Sequence, residues 1–354
     1  MITLGIESSC DDTAAAVIRG GREILSEFVS SQIAEHQRFG GVVPEFAARM
    51  HQETILPLIK LVMDEARTKM SESEGIDLIA VTCGPGLMGS LMVGVLTARA
   101  LGAAWDVPVI GVNHIEGHIF ANFIADETLA PPFLCLVVSG GHTEIILVRG
   151  WGDYVVLGGT RDDAAGEAFD KAAKLLGLPY PGGAVIDGLS AKGNSRAFGF
   201  PVPLRNTDEV EFSFSGLKTA LLSKLKQLGS NMTPDAENYS VKIKNETERI
   251  SVPTEQINDI CASFQAAIIE SLMSKLELAV RKTGVNRVAI SGGVAANSAL
   301  RSAVLSKKDM WDVFIPPVAH CTDNAAMVAA AGASAWARGV RMSNITPDPS
   351  LQLL

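Results

Sequence analysis

Two of the chain's six histidines stand four residues apart in His114-Ile-Glu-Gly-His118. If that segment is a helix capped by Asn113, residues i and i+4 share a face, and both imidazoles can reach one metal ion. The same spacing also fits two helical histidines held by ordinary hydrogen bonds. It is not the zinc-peptidase pattern His-Glu-x-x-His, because Ile115 takes the place of the required acid and Glu116 falls on another face. Further along, Cys321-Thr-Asp-Asn324 opens an Ala-rich helical pattern. Asp323 reads there either as an acid favoured at a helix N-terminus or as an oxygen ligand, completing a site of two histidines and one carboxylate with open positions.

Small-residue turns offer a second kind of chemistry. Leu4-Gly-Ile-Glu-Ser-Ser-Cys-Asp-Asp-Thr-Ala-Ala-Ala-Val-Ile18 and Leu134-Cys-Leu-Val-Val-Ser-Gly-Gly-His-Thr-Glu-Ile-Ile-Leu-Val148 both read strand, polar turn, strand. Free backbone N–H groups and hydroxyls in such turns make a phosphate cradle. A third turn, at Gly292 and Gly293, leads from a strand into a helix whose N-terminus favours negative charge. Gly84-Pro-Gly-Leu-Met-Gly89 matches G-x-G-x-x-G, yet the following strand runs into Asn113 and His114 instead of a ribose-binding acid. Glycines for a tight strand–helix turn account for it. No Walker A lysine pattern occurs, which excludes a P-loop NTPase. Asp170 and Asp187 could accept ribose hydroxyls, with Gly182 and Gly183 letting a nucleotide lie on bare backbone; a capped helix followed by a turn is the plainer alternative. Lys171, Lys174, Lys192, Arg196 and Lys218 form the best nearby basic set, although scattered surface lysines are the default.

These groups need a scaffold, and the pattern supplies one. Short apolar runs alternate with helical periodicity, the mark of α/β architecture. Strands are expected at 2–7, 14–18, 76–82, 109–112, 133–139, 144–149, 154–157, 288–291 and 313–315. Helices are expected at 44–70, 90–105, 163–176, 217–228, 258–282, 295–305 and 324–337, with Pro57 kinking or breaking the first. The two similar hairpins suggest duplicated lobes. Residues 207–256 are polar and irregular apart from the 217–228 helix and read as an insertion or flexible surface.

Bulk properties narrow the setting. The 354 residues are 47% hydrophobic and 19% charged, ordinary for a globular protein of one large or two medium domains. No uninterrupted apolar run reaches the ~18 residues of a membrane span, and the N-terminus lacks a signal-peptide pattern. The five scattered cysteines fit neither a disulfide framework nor a zinc spacing, so a cytoplasmic location is expected. A net charge of −9 is not the footprint of a stand-alone nucleic-acid binder. Any RNA contact must then be a local basic patch or be shared with a partner.

Taken together, the motifs resemble the bacterial TsaD family, relatives of archaeal and eukaryotic enzymes once labelled sialoglycoprotein endopeptidases. The matching blocks are Gly5-Ile-Glu-Ser-Ser-Cys-Asp-Asp-Thr13, Gly40-Gly-Val-Val-Pro-Glu45, the 84–89 turn, Val112-Asn-His-Ile-Glu-Gly-His118, Val138-Ser-Gly-Gly-His-Thr143, the 162–171 segment, Phe212-Ser-Phe-Ser-Gly-Leu-Lys218, the 291–297 turn and Cys321-Thr-Asp-Asn324. They run in the family's order across nearly the whole chain. The resemblance implies a two-lobed actin-like, sugar kinase and heat-shock ATPase (ASKHA) fold with duplicated lobes around a ligand cleft. One lobe would span 1–130, completed by a C-terminal helix at about 325–354. The other would span 131–324, with the polar insertion around 207–256.

It further implies His114, His118 and Asp323 as ligands of one divalent metal, iron, with zinc as the alternative. Val137, Val138, Ser139, Gly140, Gly141, Asp170, Gly183, Asp187 and Asn297 would hold threonylcarbamoyl-AMP. The implied activity is transfer of the threonylcarbamoyl group to the exocyclic amine of the adenosine 3′-adjacent to the anticodon, in tRNAs reading codons that start with A. Implied partners are tRNA, a TsaB-like actin-fold paralogue and a TsaE-like P-loop ATPase. Asp11 is a candidate to orient or deprotonate the attacking amine, beside a structural role in the first hairpin. A non-catalytic nucleotide-binding scaffold and an actin-fold ATPase or kinase are the alternatives. Ala184 replaces a proline usual in the family, and Pro201-Val-Pro203 replaces Pro-Arg-Pro, removing a cation that could touch tRNA or a partner.

Overall fold

The computed structural model describes residues 1–229, 238–243, 248–342 and 344–353. The chain opens with an antiparallel meander, β1 (Ile2–Glu7), β2 (Asp12–Arg19) and β3 (Glu23–Ser31). Next come α1 (Ile33–Gln37), α2 (Pro44–Arg67), β4 (Leu78–Gly84), α3 (Met88–Trp105), β5 (Val109–Asn113) and α4 (His114–Ala125). β4 pairs parallel with β1, and β5 with β4, giving the order β3-β2-β1-β4-β5.

A second run follows the same plan. It contains β6 (Phe133–Val138), β7 (Thr143–Gly150), β8 (Asp153–Gly159), α5 (Ala165–Leu176), α6 (Gly182–Ser190) and α7 (Ser215–Gly229). A ribbon of β9 (Asn238–Ile243) and β10 (Glu248–Pro253) precedes α8 (Thr254–Thr283), β11 (Arg287–Ser291), α9 (Ser298–Leu305), β12 (Asp312–Phe314) and finally α10 (Ala325–Ala337). The second five-stranded sheet runs β8-β7-β6-β11-β12, the strand order of the first. The chain divides into two compact units: Met1–Pro132 with Val148–Val155 and Phe314–Leu354, and Phe133–Leu147 with Val156–Val313.

Alternation along β2 explains the layering of the first unit. Ala15 and Val17 point to a core shared with Ile55, Ile59 and Val62 of α2, whereas Ala14, Ala16 and Ile18 point to one shared with α10. Small residues bring α10 close: a Cβ at Gly5 would fall on the Ala325 carbonyl, and one at Gly332 on the Ala80 methyl. Phe120 and Ala121 of α4 join the same cluster. The histidine-bearing helix and the helix that follows Asp323 are thus packed on one sheet face.

Several expectations need correction. α2 is not broken at Pro57, which like Glu53 one turn earlier is exposed, so water can serve the carbonyl that loses its donor. β3 was not expected; its polar Glu-Ile-Leu-Ser-Glu-Phe-Val-Ser-Ser run suits a sheet edge and hides the alternation. The 180–187 segment is mostly helix, not turn, and the Gly292 turn passes through a short 3-10 stretch before α9 starts at Ser298. α3 is long and apolar enough, by length and composition alone, to cross a membrane. Ser90, Thr97 and Arg99 interrupt its apolar run but leave the average high, and Leu91, Val95 and Ala98 are buried in the core.

The stretch read as an insertion is anchored at its start. Phe212 and Phe214 are buried, and the Asp162 carboxylate accepts from Ser213 Oγ, Phe214 N and Ser215 N and Oγ. Buried Lys275 donates to the carbonyls of Thr207 and Glu209. Residues 230–237 and 244–247 of that stretch lie outside the described ones.

Candidate functional site

The expected helix after β5 forms, and its cap is the expected one. Asn113 Oδ1 accepts from Ile115 N at 2.8 Å and Glu116 N at 3.4 Å. Its Nδ2 donates to the Leu351 carbonyl, so the C-terminal segment helps fix the helix start. His114 and His118 follow one turn apart, both buried, with ring centroids 4.6 Å apart. Asp323 Oδ1 lies 3.6 Å from His114 Nε2 and 3.4 Å from His118 Nε2. One ligand atom from each residue falls within a 4.8 Å group.

Asp323 does not cap α10; Asn324 does, accepting from Met327 N at 2.9 Å. The loop is pinned from the other side by Glu27, which accepts from Ala326 N and pairs with His320 Nε2 at 3.2 Å. Asp323 is thereby held toward the imidazoles.

The donor set suits a metal ion. Both ring nitrogens of His118 are buried without a hydrogen-bond partner among the described residues, and a Lewis acid bound at Nε2 would relieve one of them. Two imidazoles and a carboxylate are a borderline-soft set, appropriate to iron or zinc. On the opposite side of α4, Glu116 accepts from Tyr154 OH at 2.7 Å and meets Arg338 at 3.5 Å. It is therefore turned away from the histidines, as the failed peptidase motif predicts.

The sequence reading missed the partners behind His114. Glu7, fully buried at the end of β1, lies 3.1 Å from His114 Nδ1 and accepts from Thr82 Oγ1 at 2.6 Å and Ser9 N at 2.5 Å. Burial pushes its carboxyl up, but the His114 ring and the Thr82 hydroxyl outweigh that and hold it below the usual range. Burial pushes His114 down, yet the charges of Asp323 and then Glu7 raise it to about 9. The overlooked signal was an acid closing an otherwise apolar buried strand.

Asp11 lies in the adjoining hairpin turn, and Asp12 opens β2. Burial foremost, with help from the Asp323 charge, raises Asp11, whose backbone carbonyl accepts from Gln32 N. The same causes raise Asp12 to about 7, and its Oδ1 has no hydrogen-bond partner among the described residues.

The other candidates belong to the second unit. Val137 and Val138 are fully buried, so only their backbone can meet a ligand. Ser139 N already donates to the His142 carbonyl at 2.8 Å, which leaves the exposed Gly140 and Gly141 as the open part of the turn. Asp170 caps α6 by accepting from Gly182 N at 2.7 Å, next to Gly183. Asp187 accepts from Ser298 N and Oγ, and Asn297 caps α9 through Leu300 N while donating to Gln265 at 2.7 Å. These contacts link α5, α6 and α9 into one polar surface. Of the basic set, Lys171 is taken up by Asp163 and Glu167. Lys174, Lys192, Arg196 and Lys218 are exposed and form no ion pair among the described residues. The five cysteines are free thiols.

With this geometry in place, comparisons add identity. Residues 23–330 match a family described as "TsaD: tRNA N6-adenosine threonylcarbamoyltransferase". A protein of that name from Anaeromyxobacter dehalogenans (strain 2CP-C) is 49% identical over 99% of both chains. Another from Trichlorobacter lovleyi is 49% identical over 94% of this chain and 91% of its own. Among solved structures, HypF of T. kodakarensis superposes with a TM-score of 0.59 at 15% identity, over 96% of this chain and 48% of HypF. The activator of 2-hydroxyisocaproyl-CoA dehydratase from Clostridium difficile gives 0.51 at 14% identity, over 97% and 100%. At such identities the likeness concerns the fold alone, which is of the actin-like ATPase type.

Proposed function

The chain belongs to the TsaD family of tRNA N6-adenosine threonylcarbamoyltransferases, and from that premise we propose how its own residues carry out the transfer. The donor is threonylcarbamoyl-AMP. The acceptor is the exocyclic amine of the adenosine 3′-adjacent to the anticodon in tRNAs reading codons that start with A. The observation that carries the reading is the group of buried His114 and His118 with half-buried Asp323, whose ligand atoms lie within 4.8 Å of one another.

AMP is a good leaving group, so no protein nucleophile is required; the demand is to place a weakly nucleophilic amine against an activated carbonyl. A divalent ion, iron with zinc as the alternative, would be held by His114, His118 and Asp323 and supply a Lewis-acid and templating centre for ligand oxygens. The open backbone at Gly140 and Gly141 orients the donor phosphate. Asp170, Gly183, Asp187 and Asn297 face the nucleoside, with Val137, Val138 and Ser139 contributing backbone. Asp11, raised by burial, orients the amine or takes its proton. Lys174, Lys192, Arg196 and Lys218 give an otherwise acidic chain a local contact for tRNA. A TsaB-like paralogue and a TsaE-like ATPase complete the assembly in the cytoplasm.

The test is transfer of labelled threonylcarbamoyl from its adenylate to tRNA by the purified chain with those partners. Label in tRNA, without net ATP hydrolysis by this chain, supports the reading. Absence of label with partners and metal present favours a nucleotide-binding scaffold, and nucleotide hydrolysis in its place favours an actin-fold ATPase.

A further inference from the structure

We propose that Glu7 is a positioning residue for the metal centre: it fixes the orientation and tautomer of His114 so that Nε2 is the nitrogen presented beside Asp323 and His118. The inference rests on the metal reading given above.

Glu7 is fully buried, and three donors converge on its carboxylate: Ser9 N on Oε1 at 2.5 Å, Thr82 Oγ1 on Oε2 at 2.6 Å, and His114 Nδ1 near Oε2 at 3.1 Å. An ionised carboxylate only accepts, so the proton between Glu7 and His114 belongs on Nδ1. Nε2 is then the nitrogen that would give up its proton and present a lone pair to a metal, on the Asp323 side, where it lies 3.6 Å from Oδ1. Ser9 Oγ, 3.3 Å from the same Nδ1, can take part without changing that assignment. Carboxylates placed behind metal-bound imidazoles act in this way, fixing the ring and raising its basicity.

His118 sharpens the point, because it has no such partner behind it: its Nδ1 is buried and unsatisfied among the described residues. The two imidazoles are therefore unequal: a buried acid orients one from behind, and the other has no such partner on its Nδ1 among the described residues.

The substitution Glu7→Gln discriminates. A carboxamide has one accepting oxygen and one donating nitrogen. If its oxygen serves Ser9 N, its amide nitrogen faces Thr82 and His114 and drives the His114 proton to Nε2, blocking that nitrogen as a ligand. If the oxygen serves His114 and Thr82, the amide nitrogen opposes the Ser9 N–H. Either way the site is impaired although size and packing are kept.

The experiment measures Zn2+ binding by calorimetry to the full chain, wild type and Glu7→Gln, and records imidazole 15N spectra of the zinc-loaded wild type, with His114→Ala identifying the signals. The expected result is one tight site in wild type, affinity lowered about 10–100-fold in Glu7→Gln, and a protonated Nδ1 with a metal-shifted Nε2 on His114. Undiminished zinc affinity in a folded Glu7→Gln chain overturns the proposal. So does a His114 that binds zinc through Nδ1, a readout that stands even if the variant fails to fold. A wild-type chain that binds no metal overturns the metal reading itself, a different failure from either.

Discussion

Two glycine turns that look alike as text behave in opposite ways in the folded chain. At Gly84-Pro-Gly86 the space in front of the backbone is filled by the protein's own C-terminal segment. Asp348 N donates to the Cys83 carbonyl at 2.7 Å, Gly86 N to the Pro349 carbonyl at 3.3 Å, and a Cβ on Gly84 would fall on the Asp348 carbonyl oxygen. At Gly140–Gly141 an added Cβ would meet nothing within 4 Å. One turn uses glycine to admit its own chain, the other leaves backbone open to a ligand. The dinucleotide-like motif is thus a packing motif, and it serves the site at one remove: the strap that fills it also holds Asn113, the cap of the histidine helix.

The largest effect should come from the least satisfied group nearby. Replacing His118 by Ala should reduce transfer by roughly 100-fold or more and abolish metal uptake, with circular dichroism unchanged, since direct ligands exceed the 10–100-fold weight of their supports. Transfer near wild type in this variant would remove the metal from the account. The glycine contrast itself is tested by a matched pair. Gly84→Ala should cost about 2–4 kcal/mol in urea denaturation, because the backbone carbonyl it meets cannot move aside without lifting the strap. Gly140→Ala should change stability by less than about 0.5 kcal/mol but weaken donor binding. Equal destabilisation by both would erase the distinction.

A smaller effect separates the crowded acids of the first unit from ordinary surface carboxylates. Asp12 is raised from 3.8 to about 7, chiefly by burial and then by Asp323. Because its folded value lies above the unfolded one, its ionisation opposes folding. The penalty is absent below about pH 4, grows as pH rises, and is complete above about 7. In metal-free protein Asp12→Asn should therefore gain on the order of 2 kcal/mol over wild type at pH 8, after discounting for partial exposure, and nothing at pH 4. A pH-independent difference would contradict this. Asn113→Ala should cost about 1 kcal/mol through the lost cap, with a slight loss of metal affinity.

What the sequence made legible follows the strength of each local signal. Strongly apolar β1, β4 and β6 and long periodic helices were readable, as was the i, i+4 histidine pair, since one helix fixes both residues. Edge strand β3 escaped because its inward residues are interleaved with Ser and Glu. α6 escaped because Gly182 and Gly183 open it, and glycine is a poor helix former unless packing and the Asp170 cap compensate. Glu7 escaped because its role depends on Thr82 and His114, partners far away in sequence. Asp323 was readable only as one of two possibilities; the pinning of its loop by Glu27 is tertiary and has no local signature.

The central claim is that the three-residue group holds a metal on which transfer depends. Its most direct test measures metal content and transfer of labelled threonylcarbamoyl to tRNA on one preparation, before chelation, after it, and after readdition of Fe2+ or Zn2+. The account predicts that activity falls and returns in step with about one equivalent of bound ion. Full transfer by chain verified to be metal-free would contradict it.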